Sequence, residues 1–485
     1  MLSNEERTYP GNGEPIRYGA IGAHNIAQTP EWNRLGRDAQ EAIEIVSRVL
    51  PFRTNRYVME ALIDWSKVPE DPIFQLVFPQ RDMLWPEQYR EVQRSLNRGE
   101  SEASFAATIQ RIRLDLNPQP AGQLTHNVPM FNGHPLWGLQ HKYRETVLFF
   151  PFEGQSCHSF CTYCFRWAQF ADMEGMRFAC DEATNLVAYL KAHPDVTDVL
   201  ITGGDPMIMR ASILRKYIQP LLVPELAHVQ NIRIGTKAVA SWPHRFLTDP
   251  DADDCLRLFE EVTAAGRHLA IMGHYAHPIE LEPEIARQAI RRIRDTGAVI
   301  RMQAPVVRHV NDDPELWATL WRNGVRLGLI PYYMFVERDT GARNYFEIPL
   351  FEAYEIYRQA YSRVSGLARS AQGPSMSAFP GKVRILGVIS VRDMFDGRIL
   401  DALRASANTS GAIGPEDRVF VCDFIQARDP SLARSIFFAA MDSRAVWFDQ
   451  LRPAFGKARF EFQPAPERNM ELNFPSYALT ESLLN

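Results

Sequence analysis

Between about residues 145 and 350 the chain alternates short apolar runs with amphipathic segments, a pattern that calls for a parallel α/β sheet. Residues 147–151 (VLFFP), 196–202 (VTDVLIT), 231–235, 268–272, 298–303 and 329–335 read as strands. The intervening segments carry helix punctuation, as over residues 180–192 and in EPEIARQAIRRIRDTG. There Pro283 suits a first-turn position, Gly297 a C-terminal cap, and Ile285, Ala289, Ile290 and Ile293 form one inward face. Six strand–helix units in series predict a sheet that is doubly wound or curled into a full or partial barrel. In each of these shapes the loops beyond the C-terminal strand ends build the site.

The flanks are less regular. Residues 1–140 combine helical spacing (Ile43, Val46 and Leu50 within 38–50) with proline-rich turns, which predicts a helical and irregular wrapping region. Residues 141–350 hold the strand–helix units. Residues 351–485 open with a helix over 350–364 and continue through GPSMSAFPGKVRILGVIS into a mixed C-terminal appendage. With 46% hydrophobic and 11% aromatic residues, the 485-residue chain has ample material for a core. Its 53 basic and 58 acidic residues leave a net charge of −5, which excludes nucleic-acid or membrane-surface binding through bulk charge. No apolar run approaches the ~18 residues of a membrane span, and MLSNEERTYPGNGEP lacks a secretory core. A cytoplasmic location is therefore expected.

Three of the six cysteines, Cys157, Cys161 and Cys164, fall in one loop, GQSCHSFCTYCFRW, directly after the first of these strands. Cys180, Cys255 and Cys422 are scattered and read as small buried hydrophobes. Thiolates ligate iron–sulfur clusters and zinc. Three of them can hold three irons of a [4Fe–4S] cube and leave the fourth iron open for a small molecule. A structural zinc with His158 or a distant residue as fourth ligand is the bland alternative, and a non-enzymatic zinc or Fe–S binding protein its functional counterpart. Zinc sites, however, pair such a motif with a second one, and none follows here.

The C-x3-C-x2-C loop after a strand resembles the radical S-adenosylmethionine (SAM) superfamily. The resemblance puts Tyr163, just before Cys164, against the adenine. It matches LITGGDPMIM to the superfamily's Gly-Gly-acid motif, in which Thr202, Gly203, Gly204 and Asp205 meet the amino-acid end of SAM. Over about residues 25–390 the chain further resembles the lysine 2,3-aminomutase family. Collinear stretches carry this likeness: NRYVMEALIDW, DPIFQLVFPQ, GLQHKYRETVLF, IRIGTKAVASWPHR, GHYAHP, QAPVVRHVND, PYYMFVERDTGARNYF and FPGKVRI. It implies a partial (β/α)6 barrel enclosing SAM and pyridoxal 5′-phosphate (PLP). Cys157, Cys161 and Cys164 would bind the cluster, and His274 and Gln303 would lie near SAM. Arg166 would pair with the substrate α-carboxylate, and Lys382 would bind PLP covalently. That chemistry asks for an amine whose pKa burial can lower, on a loop loose enough to exchange PLP with substrate.

Three positions depart from the family pattern. Thr146 stands where an arginine approaches the PLP phosphate, and Arg338 and Ser375 stand where two aspartates hold the ammonium of lysine. A cation repels an ammonium group, so plain L-lysine is not the expected substrate. Asp339 is one residue away, but neighbours on a strand face opposite sides. Arg338 suits a distal carboxylate, as in a glutamate- or aspartate-like amino acid. The resemblance implies an aminomutase in which the cluster reduces SAM, the 5′-deoxyadenosyl radical removes a β-hydrogen, and nitrogen moves from C2 to C3. The departures also allow a PLP-independent radical SAM enzyme acting on another small substrate. A small amino acid and an electron donor such as flavodoxin or ferredoxin are the expected partners, with no nucleic acid or membrane, and a homo-oligomer is among the expected assemblies.

Overall fold

A computed structural model describes residues 17–119, 127–171, 173, 176, 178–378, 380–394, 418–455 and 457–463. The polar N-terminal stretch considered above lies outside these residues. Among the described residues no helix is long and apolar enough to cross a membrane.

An eleven-stranded sheet organises the chain, and its strands lie side by side in chain order. They are β1 (Leu139–Tyr143), β2 (Thr146–Phe149), β3 (Asp198–Ile201), β4 (Asn231–Thr236), β5 (His268–His274), β6 (Val299–Val306), β7 (Ile330–Val336), β8 (Gln372–Ser377), β9 (Gly381–Ser390), β10 (Arg418–Ala427) and β11 (Ile436–Ala440). Strands β2 to β8 run parallel. β1 joins one edge antiparallel, and β9 to β11 extend the other edge antiparallel. The six expected strands are β2 to β7. The parallel run gains a seventh, β8, from the stretch GPSMS, whose small residues carry no strand periodicity. Pairing with β7 buries Gly373 to Met376 and makes that stretch extended.

Burial alternates strictly along β4 and β6. Ile232, Ile234, Ile300, Met302 and Ala304 join the apolar core, while Arg233, Gly235, Gln303 and Pro305 face a cavity on the other side. Residues from ten successive strands, β1 to β10, line that one cavity, so the sheet curls into a partial barrel. The edge strands β1 and β11 do not pair with each other.

Helices α1 (Arg37–Val46), α2 (Pro72–Val77), α3 (Pro86–Arg98) and α4 (Glu102–Asp115) precede the sheet and share its main core. Helix α5 (Ala183–Ala192), α6 (Ala211–Ile218), α7 (Ala252–Ala264), α8 (Glu284–Asp295) and α9 (Pro314–Arg326) connect β2 through β7, and α10 (Leu350–Ser362) leads to β8. In α8 Ala289, Ile290 and Ile293 are fully buried and Ile285 packs against the core, as the spacing predicts. Pro283 sits one position earlier than expected, at the N-cap, and Gly297 takes φ +84° just past the C-cap.

Candidate active site

The cysteine loop leaves β2 and is gripped by the N-terminal region. The Phe160 N–H donates to the Arg53 carbonyl at 2.8 Å and the Thr162 N–H to the Leu76 carbonyl at 2.9 Å. Arg53 returns two bonds, to Ser156 Oγ and, at 3.3 Å, to the Cys157 carbonyl. Cys157, Cys161 and Cys164 are free thiols lining the same cavity. Burial pushes all three up, Cys161 to about 12, so a bound metal must displace their protons.

His158, the fourth ligand of a zinc reading, stacks on Trp242 at 6.3 Å between ring centroids and meets Tyr18 edge-on, outside the cavity lining. Among the described residues no group of three or more His, Cys, Asp or Glu side chains is arranged to hold a single metal ion. Three thiols that share a space without converging on one metal position suit a multi-iron cluster better than a single ion. Of the scattered cysteines, Cys255 and Cys422 are buried as expected, whereas Cys180 is only half buried.

Every residue that sequence assigns to SAM lines this cavity: Tyr163, Thr202, Gly203, Gly204, Asp205, His274 and Gln303. Tyr163 and His274 are hydrogen-bonded, Oη to Nε2, at 2.6 Å. Burial, reinforced by Lys237, holds His274 well below the usual histidine range.

The Gly-Gly-Asp turn has structural duties that its sequence does not announce. A Cβ on Gly203 (φ +148°) would lie 2.2 Å from Gln155 Nε2, and one on Gly204 would lie 2.5 Å from the Ser156 backbone nitrogen. The glycines thus let the β3 loop pack directly under the cysteine loop. The Asp205 carboxylate accepts from the backbone N–H groups of Met207 (2.9 Å), Lys237 (2.8 Å) and Ala238 (3.1 Å), and so ties the β3 loop to the β4 loop.

Lys382 lines the same cavity. It is the second residue of β9, paired with Ser377 and Gln426, so the anticipated loop is in fact a strand. The bulge after Lys382 locally interrupts the ladder. Its Nζ sits 3.9 Å from the Tyr333 ring centroid and 5.3 Å from that of Phe335. Burial drives its pKa well below the lysine range, with Lys142 and Arg233 adding to the effect.

Arg166 lies over Phe150 (4.5 Å) and Phe165 (4.9 Å), and burial lowers its pKa to about 10. Arg338 reaches the same cavity. Ser375 also lines it, but its hydroxyl donates to the Met334 carbonyl at 3.4 Å. Asp339 accepts from Gln119 at 2.7 Å and is absent from the cavity wall, but not through strand alternation: β7 ends at Val336, and the consecutive Val336, Glu337 and Arg338 all line the cavity.

Three further residues were missed from the sequence. Lys142 on β1 is half-buried in the cavity wall, its pKa lowered to about 7 by desolvation and by Arg338, Arg428 and Arg166. Glu337 has both carboxyl oxygens buried without a partner, and burial pushes its pKa well above the carboxylate range. Trp447 arrives from beyond β11. Alternation along β1 could have flagged Lys142, since Gln140 and Lys142 share a face; no sequence signal marks Trp447. Thr146 is buried in the wall as well.

The chain is 32% identical over 378 residues to a protein of Aquifex aeolicus named "Putative L-lysine 2,3-aminomutase", covering 77% of this chain and 86% of that one. It is 27% identical over 234 residues to the L-lysine 2,3-aminomutase of Bacillus subtilis, covering 48% of this chain and 46% of that enzyme. The chain therefore spans about half the length of that second relative. No family model matches. Among solved structures, a radical SAM methyltransferase from Sphaerobacter thermophilus aligns with a TM-score of 0.33 at 16% identity, over 46% of this chain and 66% of that one.

Proposed function

The chain belongs to the lysine 2,3-aminomutase family of radical SAM enzymes, and on that premise we propose that it is a PLP-dependent 2,3-aminomutase of an amino acid with a distal carboxylate. The observation that carries this reading is the single cavity of about 380 Å³ in which three thiols, the buried Lys382 and the guanidinia of Arg166 and Arg338 all meet. Such a volume is that of an ordinary small-molecule site. When bound, the cluster with SAM supplies a 5′-deoxyadenosyl radical, and PLP supplies the aldehyde that carries the amino group.

The protein's own residues bind, orient and exclude water. Lys382 Nζ, kept uncharged by burial, is the nucleophile for PLP. Lys142 compensates for Thr146 by offering a cation to the phosphate from the adjacent strand of the β1–β2 hairpin. Arg166 grips the α-carboxylate and Arg338 the distal one, each through a planar fork suited to bidentate pairing. Neither guanidinium forms a salt bridge among the described residues, although Asp339 and Asp449 act on Arg338 through space, and this leaves both forks available to substrate anions. Ser375, engaged with backbone, contributes shape. The oxygen-sensitive cluster implies a reducing, cytoplasmic setting and an electron donor of the flavodoxin or ferredoxin type.

Borohydride reduction of anaerobically reconstituted protein supplied with PLP tests this reading by peptide mass spectrometry. A phosphopyridoxyl adduct on Lys382 is the expected result. Unmodified Lys382 in protein with an intact cluster removes PLP from the mechanism and leaves a PLP-independent radical SAM enzyme.

A further inference from the structure

We infer that Phe165 and Trp447 form an aromatic clamp on Arg338 that sets the enzyme's preference for acidic over neutral amino acids. This inference rests on the acidic-substrate reading above and names residues to which that reading gives no part. The Arg338 guanidinium carbon lies 5.7 Å from the Phe165 ring centroid and 5.6 Å from that of Trp447. Both distances fall within cation–π range. Its Nε is buried without a hydrogen-bond partner. Asp339 and Asp449 act on Arg338 through space without forming a salt bridge, so the rings hold the arginine while the N–H edge of its fork stays open to an incoming anion.

The two rings come from distant parts of the chain. Phe165 directly follows the cluster ligand Cys164, and Trp447 lies beyond β11 in the C-terminal region, only 5% exposed. Phe165 also carries Arg166, at 4.9 Å. One ring therefore spaces the two guanidinia. With legs of 4.9 and 5.7 Å meeting at its centroid, they are at most about 10.6 Å apart. At that spacing one small amino diacid can meet both guanidinia only with its carboxylates engaged off the straight line between them, since a bidentate pair takes up roughly 4 Å at either end. Trp447 contributes the second ring, so the C-terminal region completes a wall of the substrate cavity.

The test is anaerobic titration calorimetry of the full chain, reconstituted with cluster and PLP, against L-glutamate and L-glutamine. The ratio of the two affinities is the readout, because loss of general structure weakens both ligands together. Wild type is expected to favour glutamate at least about tenfold, as a desolvated charge pair would give. Trp447→Leu and Phe165→Leu should each cut that ratio roughly fivefold or more, Trp447→Phe should restore most of it, and Arg338→Gln should abolish it. Phe165→Leu, on a separate element, decides the matter if Trp447→Leu does not fold. A wild-type ratio near one overturns the acidic-substrate reading and the clamp with it. A wild-type preference that survives in both leucine variants overturns the clamp alone.

Discussion

At neutral pH Lys142 is poised between two charge states, because burial and three neighbouring guanidinia lower its pKa to about 7. An unfolded lysine stays protonated up to about 10.5, so an anion that seats against Nζ raises the folded pKa back toward that value. PLP binding should consequently take up protons between pH 7 and 10, and affinity should fall as pH rises through that window. Calorimetry in two buffers of different ionisation enthalpy measures the uptake at pH 8. Lys142→Met should lose it, and equal uptake in the variant would show that Lys142 does not meet the phosphate. Gly204 makes a second residue-scale case. A methyl group there would press on the Ser156 backbone from 2.5 Å, and the cysteine loop must move to admit it. Gly204→Ala is expected to fold yet to retain less than half the wild-type iron and sulfide per chain. Full cluster loading would mean that the loop tolerates the shift.

Among the elements, β9 to β11 bring Lys382 to the cavity and depend on one buried carboxylate. Asp423 on β10 is 1% exposed and accepts from Arg384 Nε at 3.0 Å and Nη2 at 2.7 Å, with Arg434 at 2.9 Å. Arg384 is mostly buried, with its side chain 14% exposed, whereas that of Arg434 is 70% exposed and its bond is screened by water. Removing the carboxylate strands the Arg384 charge, at a cost of about 3 kcal/mol or more. Asp423→Ala should therefore lower the urea midpoint and reduce PLP occupancy at Lys382 together. A midpoint within error of wild type would show that the pair is not structural. The cysteine loop is likewise positioned from outside itself, by carbonyls of Arg53 and Leu76. Its spacing was legible as a motif, but its anchors were not, because they lie about a hundred residues upstream.

Taken as a whole, the molecule is acidic, with net charge −5, yet its cavity is cationic. Arg166, Arg338 and the half-titrated Lys142 line it without a salt bridge among the described residues, while Lys382 is held uncharged. Of the nearby acids, Asp205 is tied to backbone N–H groups and burial disfavours charge on Glu337, while Asp339 and Asp449 offset Arg338 in part. Such a site stores repulsion that anions relieve, so ligands should stabilise the fold. Inorganic phosphate at fixed ionic strength is expected to raise the unfolding temperature above that in chloride, with free energy approaching about 2.7 kcal/mol at a hundredfold excess over Kd. Equal unfolding temperatures in the two salts would argue that the cavity does not collect anions.

Local pattern alone determined the strands β2 to β7, the inward face of α8 and the cysteine loop. Strand alternation, helical spacing and thiol clustering are short-range properties that a few neighbouring residues express. Tertiary structure alone decided which distant groups share one space. It made a strand of the flat GPSMS stretch by pairing it with β7, placed Lys382 on a strand with its Nζ over the Tyr333 ring, and set Gly203 and Gly204 beneath Ser156 and its neighbour. It also seated Trp447 on Arg338 across the sheet. These outcomes depend on long-range packing, for which the sequence near each residue carries no periodic trace.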